Sequence, residues 1–184
     1  AHLTSSTDAE YYRRVARIGV QVADALAYAH DQGVLHRDIK PANLLLDARD
    51  TVWITDFGLA KTEDDAGLTN TGDFVGTTRY MAPERFRGTG DPRSDVYSLG
   101  AVLYHLLTGQ PPFQGASPVD TVLMVLEQDP VLPRVLNRKV DRGLERITLR
   151  CLQKPQDLRY GSAAALRDDL DAWLENRPVA ASFG

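Results

Sequence analysis

The segment SDVYSLGAVLYHLLT, residues 94–108, constrains the fold most, because its apolar side chains lie on nearly every side of the helix that it predicts. A helix on a protein surface carries such residues on one stripe, whereas a helix that is apolar all round is buried by its neighbours. The apolar positions are Val96, Leu99, Val102, Leu103, Leu106 and Leu107. The segment therefore predicts a central helix around which the rest of the 184-residue chain must pack.

A long amphipathic helix is predicted over residues 8–32. Thr7 at the N-cap and Glu10 three residues later form the pattern of a capping box. Apolar residues then recur at spacings of three and four, and Gly33 follows as a stop signal. The same periodicity predicts three more helices, over residues 118–128, 140–152 and 162–175.

Two short β-prone runs, NLLLD at 43–47 and TVWIT at 51–55, predict a small hairpin. Residues 58–93 show little periodicity and much Gly, Thr and Asp, so they predict a long loop with at most one helical turn. Long loops inside compact domains tend to be functional or mobile. The expected fold is mainly α with one small β-hairpin, and residues 1–184 are expected to form one domain or a large piece of one.

Composition excludes several classes of partner. The net charge of −4 and the pI of about 5.5 give no reason to expect nucleic acid or an anionic membrane. The single cysteine, Cys151, lies in an apolar setting, which favours a buried packing residue over a reactive thiol and suits a reducing compartment. We find no signal peptide and no membrane segment, and we expect a cytoplasmic location, although a longer protein could be anchored outside this chain.

The stretch HRDIKPANLLLDARDTVWITDFGLAK, residues 36–61, carries more polar groups than a structural loop needs. Transfer of a phosphoryl group requires a carboxylate that orients the attacking hydroxyl, a positive charge near the phosphate, and metal ions. Asp38 and Lys40 supply the first two, and Asn43 and Asp56 supply hard oxygen ligands of the kind that Mg²⁺ prefers. Gly58 permits a backbone turn behind Asp56.

The motifs occur in the order found in one family. HRDIKPAN resembles the catalytic loop of the protein kinases, and DFG resembles their metal-binding turn. GTTRYMAPE is similar to the end of their activation segment, SDVYSLG to the start of their central helix, and PPF to the loop after it. The chain thus resembles the large C-terminal lobe of a protein kinase, which implies ATP and Mg²⁺ as cofactors and a protein as substrate.

The N-terminal β-rich lobe of the family is expected to be absent from these residues. That lobe carries a Gly-rich loop over the phosphates and a strand lysine. No G-x-G-x-x-G occurs in the chain, and none of its lysines follows a strand of the VAI type. The lysines are Lys40, Lys61, Lys139 and Lys154. The missing lobe is therefore an expected partner.

The resemblance implies a role for each matching residue. Asp38 would orient the substrate hydroxyl, and Lys40 would contact the γ-phosphate. Asn43 and Asp56 would hold the metal ions. Leu45 would lie under the adenine ring, whereas periodicity alone makes it a strand residue that faces a core.

Two features point to the Ser/Thr group of kinases, and so to Ser or Thr as the phosphorylated residue. Lys40 follows Asp38 by two residues, as is usual in that group. Thr77 matches the threonine that hydrogen-bonds the catalytic aspartate and lysine there, and its alternative is an ordinary turn threonine.

Arg37 suggests control by phosphorylation, because an arginine beside the catalytic aspartate is costly unless an anion neutralises it. Thr69 and Thr71 resemble the paired autophosphorylation sites of bacterial Ser/Thr kinases, and the alternative is two loop threonines without a role. Thr62 is a weaker candidate.

Other residues resemble architectural positions of the family. Asp95 would accept hydrogen bonds from backbone N–H groups of the catalytic loop, or else serve as a plain charge at a helix N-terminus. Glu84 would pair with Arg159, but KPQDLR departs from the family pattern because Pro155 is displaced by one residue. His36 would pack as a structural residue.

Two classes of function remain open at this point. The chain is either part of an active kinase, with little activity by itself, or a non-catalytic scaffold or interaction module. Intact Asp38, Asn43 and Asp56 favour the enzyme, because a scaffold has no chemical need for them. We also expect an apolar surface around Leu45 and Phe57, where the small lobe would pack.

Overall fold

The structure is a computed structural model, and it describes residues 3–57 and 76–181, with side chains from residue 7 onward. The main helices are α1 (Leu3–Asp31), α2 (Pro92–Thr108), α3 (Pro118–Glu127), α4 (Pro133–Leu136), α5 (Arg142–Cys151) and α6 (Ala163–Leu174). The strands are β1 (Leu44–Leu46) and β2 (Val52–Ile54). Short 3₁₀ turns occupy Pro41–Asn43, Pro83–Arg87 and Gln156–Leu158.

Helix α2 lies at the centre of the core, as its sequence predicts. Most of its side chains are buried, and it packs against α1, α4, α5 and α6. It begins two residues earlier than position 94, because Asp91 caps it and Pro92 fits the first turn, where no backbone N–H is needed. Gly109 ends it with a φ of 84°, a left-handed conformation that favours glycine.

Helix α1 packs against α6 and α2, and it begins earlier than predicted. The capping box at Thr7 and Glu10 is therefore not the helix start, since the helix runs from Leu3 and places Thr7 inside it. Ser and Thr cost less than about 0.7 kcal/mol each in a helix interior, so a short Ser/Thr run does not stop a helix. At the other end, Gly33 has a φ of 77° and terminates the helix as predicted.

Three of the remaining helices match the predicted ones within two residues. Ser117, Asp141 and Ser162 cap α3, α5 and α6 through side-chain oxygens. The cap at Asp141 explains why α5 begins at residue 142 and not at 140. Helix α4 was not predicted, because a single turn is too short to show a periodicity.

The two strands form the predicted antiparallel hairpin. Leu45 pairs with Trp53 in its register, and both side chains point away from the core. Their exposed fractions are 55% for Leu45 and 61% for Trp53. The view of Leu45 as a core-facing strand residue is therefore wrong; Leu44 and Ile54, on the opposite face, pack against the core.

Gln21 joins the hairpin to α1. Its side-chain Nε2 donates to the carbonyl of Asp50 (2.9 Å), and its Oε1 accepts from the backbone N–H of Val52 (3.0 Å). One amide side chain thus satisfies a carbonyl and an N–H of the hairpin edge. The hairpin is held against the helix by directed bonds as well as by apolar packing.

Cys151 is fully buried where α5 meets α2, so the prediction of a packing residue is confirmed. The helices approach closely at this point because α2 has Gly100 there; a Cβ at Gly100 would clash with the Cβ of Cys151. In the part of the chain that the structure describes, none of the helices has both the length and the apolar character needed to cross a bilayer.

Candidate active site

Asp38, Lys40 and Thr77 form a hydrogen-bonded cluster, although 39 positions separate the first from the last. The Lys40 ammonium donates to Thr77 Oγ1 (2.9 Å), and Thr77 Oγ1 donates to Asp38 Oδ1 (3.3 Å). The ammonium also lies 3.4 Å from Asp38 Oδ2. A hydroxyl has one proton to donate and lone pairs to accept, so Thr77 can serve both partners at once. The cluster fixes the carboxylate and the ammonium beside each other.

The Asp38 carboxylate is held and still accessible. Its side chain is 32% exposed and that of Lys40 is 13% exposed. Asn43 approaches from the 3₁₀ turn after Lys40, and its Nδ2 donates to the carbonyl of Asp38 (2.7 Å) and to Asp38 Oδ2 (3.3 Å). This orientation uses the amide nitrogen of Asn43 and leaves its Oδ1 oxygen for a cation.

Asp56 stands apart from this cluster. It is exposed, and among the described residues it has no hydrogen bond or ion pair with Asp38, Lys40 or Asn43. The residue before it is nevertheless tied to the site, because the N–H of Thr55 donates to the carbonyl of Asn43 (2.9 Å). Asp56 also has a φ of 58°, an uncommon conformation outside glycine that turns the chain beyond β2.

The oxygens of Asn43 and Asp56 fit a magnesium site by their chemistry. Mg²⁺ usually takes one or two protein oxygens and completes its shell with water and phosphate oxygens. A dedicated cluster of acidic or histidine ligands is therefore not needed, and none occurs within residues 3–57 and 76–181. Gly58, which follows in the DFG motif, lies outside the described residues.

His36 holds the loop of residues 36–38 in place through two hydrogen bonds of its buried ring. Its Nδ1 accepts from the backbone N–H of Asp38 (3.0 Å), and its Nε2 lies 2.9 Å from the carbonyl of Thr55. An N–H can only donate and a carbonyl can only accept, so the ring is neutral with its proton on Nε2. The ring is 1% exposed and packs edge-on against Phe57. This geometry suits a structural role.

Asp95, in the first turn of α2, reaches the same loop. Its Oδ2 accepts from the N–H of His36 (2.9 Å), and its Oδ1 accepts from the N–H of Arg37 (3.0 Å). The carboxylate is almost fully buried. Asp95 is thus bonded to the backbone of residues 36 and 37, beyond its place at the helix N-terminus.

Arg37 adopts a left-handed backbone conformation with a φ of 73°. Its side chain is exposed, and no carboxylate of the described residues lies within ion-pairing distance of it. The pKa of the nearby Arg85 is lowered. Burial is the larger cause, and the positive charge of Arg37 is the next. The positive charge of Arg37 therefore acts on Arg85. Thr62, Thr69 and Thr71 all lie outside the described residues.

Glu84 and Arg159 form a buried, bidentate ion pair. Arg159 Nη1 donates to Glu84 Oε1 (2.5 Å), and Nη2 donates to Glu84 Oε2 (2.8 Å). Burial raises the pKa of the Glu84 carboxyl, but the hydrogen bonds and charge of Arg159, with a bond from Ser94, outweigh it and lower the pKa overall. The pair ties the Pro83–Arg87 turn to the loop before α6, and the displaced Pro155 does not prevent it.

Sequence reasoning missed His30, whose ring also contacts Asp95 (2.8 Å). His30 lies in the last turn of α1, 65 positions before Asp95. Helical periodicity treats it as one polar residue at a helix end. No local signal in the sequence reveals such a partner.

The chain is similar in sequence to known proteins. The model of the protein kinase domain matches residues 3–170. The chain is 44% identical over 161 residues to the serine/threonine-protein kinase PknB of Mycolicibacterium smegmatis, and 40% identical over 161 residues to PknB of Mycobacterium tuberculosis. Each alignment covers 86% of this chain. It is also 40% identical over 172 residues, 92% of its length, to a probable serine/threonine-protein kinase of Streptomyces coelicolor.

These alignments cover 26% of each relative, so the chain spans about a quarter of the length of the curated relatives that it matches. The mainly helical architecture with a single two-stranded sheet in the described residues is that of the C-terminal lobe of a kinase domain. The chain belongs to the protein kinase family.

Proposed function

We propose that residues 1–184 form the C-terminal lobe of a serine/threonine protein kinase domain, which transfers the γ-phosphate of ATP to Ser or Thr hydroxyls of a protein. The observation that carries this proposal is the hydrogen-bonded cluster of Asp38, Lys40 and Thr77. A buffering or packing role would not require an accessible carboxylate held against a lysine. An acceptor hydroxyl and a phosphate do require both.

Each residue of the cluster has a separate task in the proposed reaction. Asp38 accepts a hydrogen bond from the substrate hydroxyl and so orients its oxygen. Lys40 would stabilise negative charge on the transferred phosphoryl group, and Mg²⁺, when bound, would supply further positive charge there. Asn43 and Asp56 hold Mg²⁺, and Leu45 offers an apolar surface to the adenine ring. We also propose a cytoplasmic location for this activity.

The exposed face of the hairpin supports a partner on this side of the molecule. Leu45 and Trp53, which pair across the two strands on this face, are 55% and 61% exposed. Apolar side chains grouped in this way beside a polar site mark a surface that is covered in the working protein. We propose that the N-terminal β-rich lobe of the same domain covers it and completes the phosphate site.

Regulation by phosphorylation is proposed for Thr69 and Thr71. Arg37 lies next to Asp38, and its guanidinium has no carboxylate partner among the residues that the structure describes. A phosphate carries close to two negative charges and accepts several hydrogen bonds, so it can neutralise an arginine that a neutral threonine cannot. Phosphorylation of either threonine would then neutralise Arg37 and stabilise the arrangement of the site around Asp38.

The test compares Asp38→Asn with Asp168→Asn in the protein that carries this chain at its natural length. Asp168 is exposed on α6, so the same substitution there is a matched control. We expect Asp38→Asn to lower phosphotransfer to a Ser/Thr peptide about 100- to 10,000-fold, because the acceptor oxygen loses its orienting carboxylate. ATP binding, measured by calorimetry with Mg²⁺, should persist.

Two results would contradict the proposal. Equal phosphotransfer by both variants would show that Asp38 is not the catalytic carboxylate. Mg²⁺-dependent ATP binding that is lost in Asp56→Ala, without any phosphotransfer by the parent protein, would instead favour the non-catalytic scaffold.

A further inference from the structure

We propose that His30 is a positioning residue of the catalytic loop, which acts on Asp38 through Asp95 and the backbone of residues 36–37. The kinetic part of this inference rests on the proposed kinase function, whereas its structural part does not. His30 touches neither of the residues that would bind Mg²⁺.

The contact is buried and directed. His30 Nε2 lies 2.8 Å from Asp95 Oδ2, and the two side chains are 8% and 3% exposed. A carboxylate only accepts hydrogen bonds, so His30 must carry a proton on Nε2. The ring comes from the end of α1 and the carboxylate from the start of α2, so the bond joins the ends of two helices.

The same carboxylate binds the loop itself. Asp95 Oδ2 accepts from both His30 and the N–H of His36, while Oδ1 accepts from the N–H of Arg37. A carboxylate can rotate about its own bond. The His30 proton adds a third hydrogen bond to those from the two backbone N–H groups, and so restricts that rotation further.

This fixed orientation is needed because Arg37 is in a left-handed conformation, which is unfavourable for a residue with a side chain. The bond from its N–H to Asp95 holds it there. Asp38 follows directly, and its own N–H is held by the ring of His36. The chain of contacts thus runs from His30 to Asp95, then to the loop backbone, and then to the carboxylate that would orient the substrate.

A simpler role for His30 is to fill space at a helix end. Two substitutions separate the roles. His30→Gln keeps an N–H donor at similar reach, whereas His30→Leu keeps apolar bulk and removes the donor. If the ring only fills space, leucine should serve at least as well as glutamine. Tyr28→Leu, at a position that is 72% exposed on the same helix, is the control.

The first measurement is amide hydrogen exchange at His36 and Arg37, with amides of α6 as the internal reference. A hydrogen bond to a charged group is worth roughly a ten- to hundredfold change in a local opening equilibrium. We expect exchange at both amides to accelerate by about that factor in His30→Leu, with α6 unchanged, and to stay near the parent rate in His30→Gln and Tyr28→Leu. Equal acceleration in the leucine and glutamine chains, or acceleration of α6 as well, overturns the proposal.

The second measurement is phosphotransfer by the protein at its natural length. His30→Leu should lower kcat at least about tenfold and leave the KM for ATP unchanged, because only the orientation of Asp38 is disturbed. His30→Gln should restore kcat. A rise in KM for ATP with kcat unchanged overturns the proposal. Absence of phosphotransfer in the parent protein, together with the expected exchange pattern, refutes the kinase function and leaves the positioning role in place.

If the His30→Leu chain does not fold, the ring of the parent chain still provides a test. Nitrogen chemical shifts of the imidazole report which nitrogen carries the proton. A proton on Nε2 that exchanges slowly with solvent supports the bond to Asp95. A neutral ring with its proton on Nδ1 alone overturns it.

Discussion

Replacing Arg159 by methionine should destabilise the fold strongly, although residue 159 lies outside the proposed catalytic cluster. Methionine keeps much of the aliphatic volume and removes the guanidinium. In the structure all five N–H donors of Arg159 are used: two bind Glu84, and three bind backbone carbonyls. Arg159 is 2% exposed and Glu84 is 6% exposed, so water cannot replace these bonds.

The expected loss of stability follows from the Glu84 charge that the substitution leaves buried without its partner. Removing one partner of a buried ion pair typically costs about 3–5 kcal/mol, because the other charge stays buried without compensation. Domains of this size are stable by about 5–15 kcal/mol in total. We therefore expect Arg159→Met to remove at least about a fifth of the free energy of unfolding, and most of it if the parent domain lies at the low end of that range.

Urea unfolding followed by circular dichroism measures the effect. Arg167→Met is the matched control, because Arg167 pairs with Asp24 on the surface, where an ion pair is worth at most about 1 kcal/mol. The double variant Glu84→Met with Arg159→Met should recover much of the loss, since it leaves no buried charge. An Arg159→Met chain within about 1 kcal/mol of the parent would refute the reasoning. A double variant as unstable as the single one would assign the loss to the backbone carbonyls.

Three further outcomes can be measured on the purified chain. The pKa of Glu84 lies below its ordinary value of 4.5, because Arg159 outweighs burial. The ion pair therefore contributes its full stability above pH 4.5 and loses it as the pH falls through the lowered pKa. Glu84→Gln should flatten the acid side of the curve of stability against pH. Gly100→Ala should lower the free energy of unfolding by about 1–3 kcal/mol through the clash with Cys151, and an unchanged midpoint in urea would contradict this. The Cys151 thiol is buried and its pKa is raised, so a disulfide reagent should modify it only as fast as the chain unfolds; fast labelling of the folded chain would argue against the close contact with Gly100.

The helices could be predicted from the sequence wherever burial and capping act locally. Residues 94–108 are apolar on nearly all sides, and that pattern alone indicated the central position of α2. The start of α1 could not be predicted in this way, because Thr7 and Glu10 carry the same local signal whether the helix begins there or passes through. The hairpin posed a related problem. Alternation puts Leu44 and Leu45 on opposite faces, but only the docking of α1 decides which face is covered.

The candidate site could be predicted only in part, for a similar reason. Asp38, Lys40 and Asn43 are close in sequence, so a short motif was enough to indicate them. Thr77 was assigned by resemblance, and the structure brings its hydroxyl to the cluster. His30 has its partner 65 positions away, across a loop and a hairpin, and no pattern of spacing encodes a bond between the ends of two separate helices.

The bridge from Gln21 to the hairpin has a consequence for the order of folding. A two-stranded hairpin is marginally stable in water by itself. The side-chain amide of Gln21 gives it the pair of bonds that a third strand would give, but only after α1 has formed and docked. The N–H of Val52 should therefore become protected no earlier than the amides of α1 during refolding. Asp56, two residues beyond β2, then reaches its position late, and the side of the site that is proposed to bind Mg²⁺ matures after the helical core.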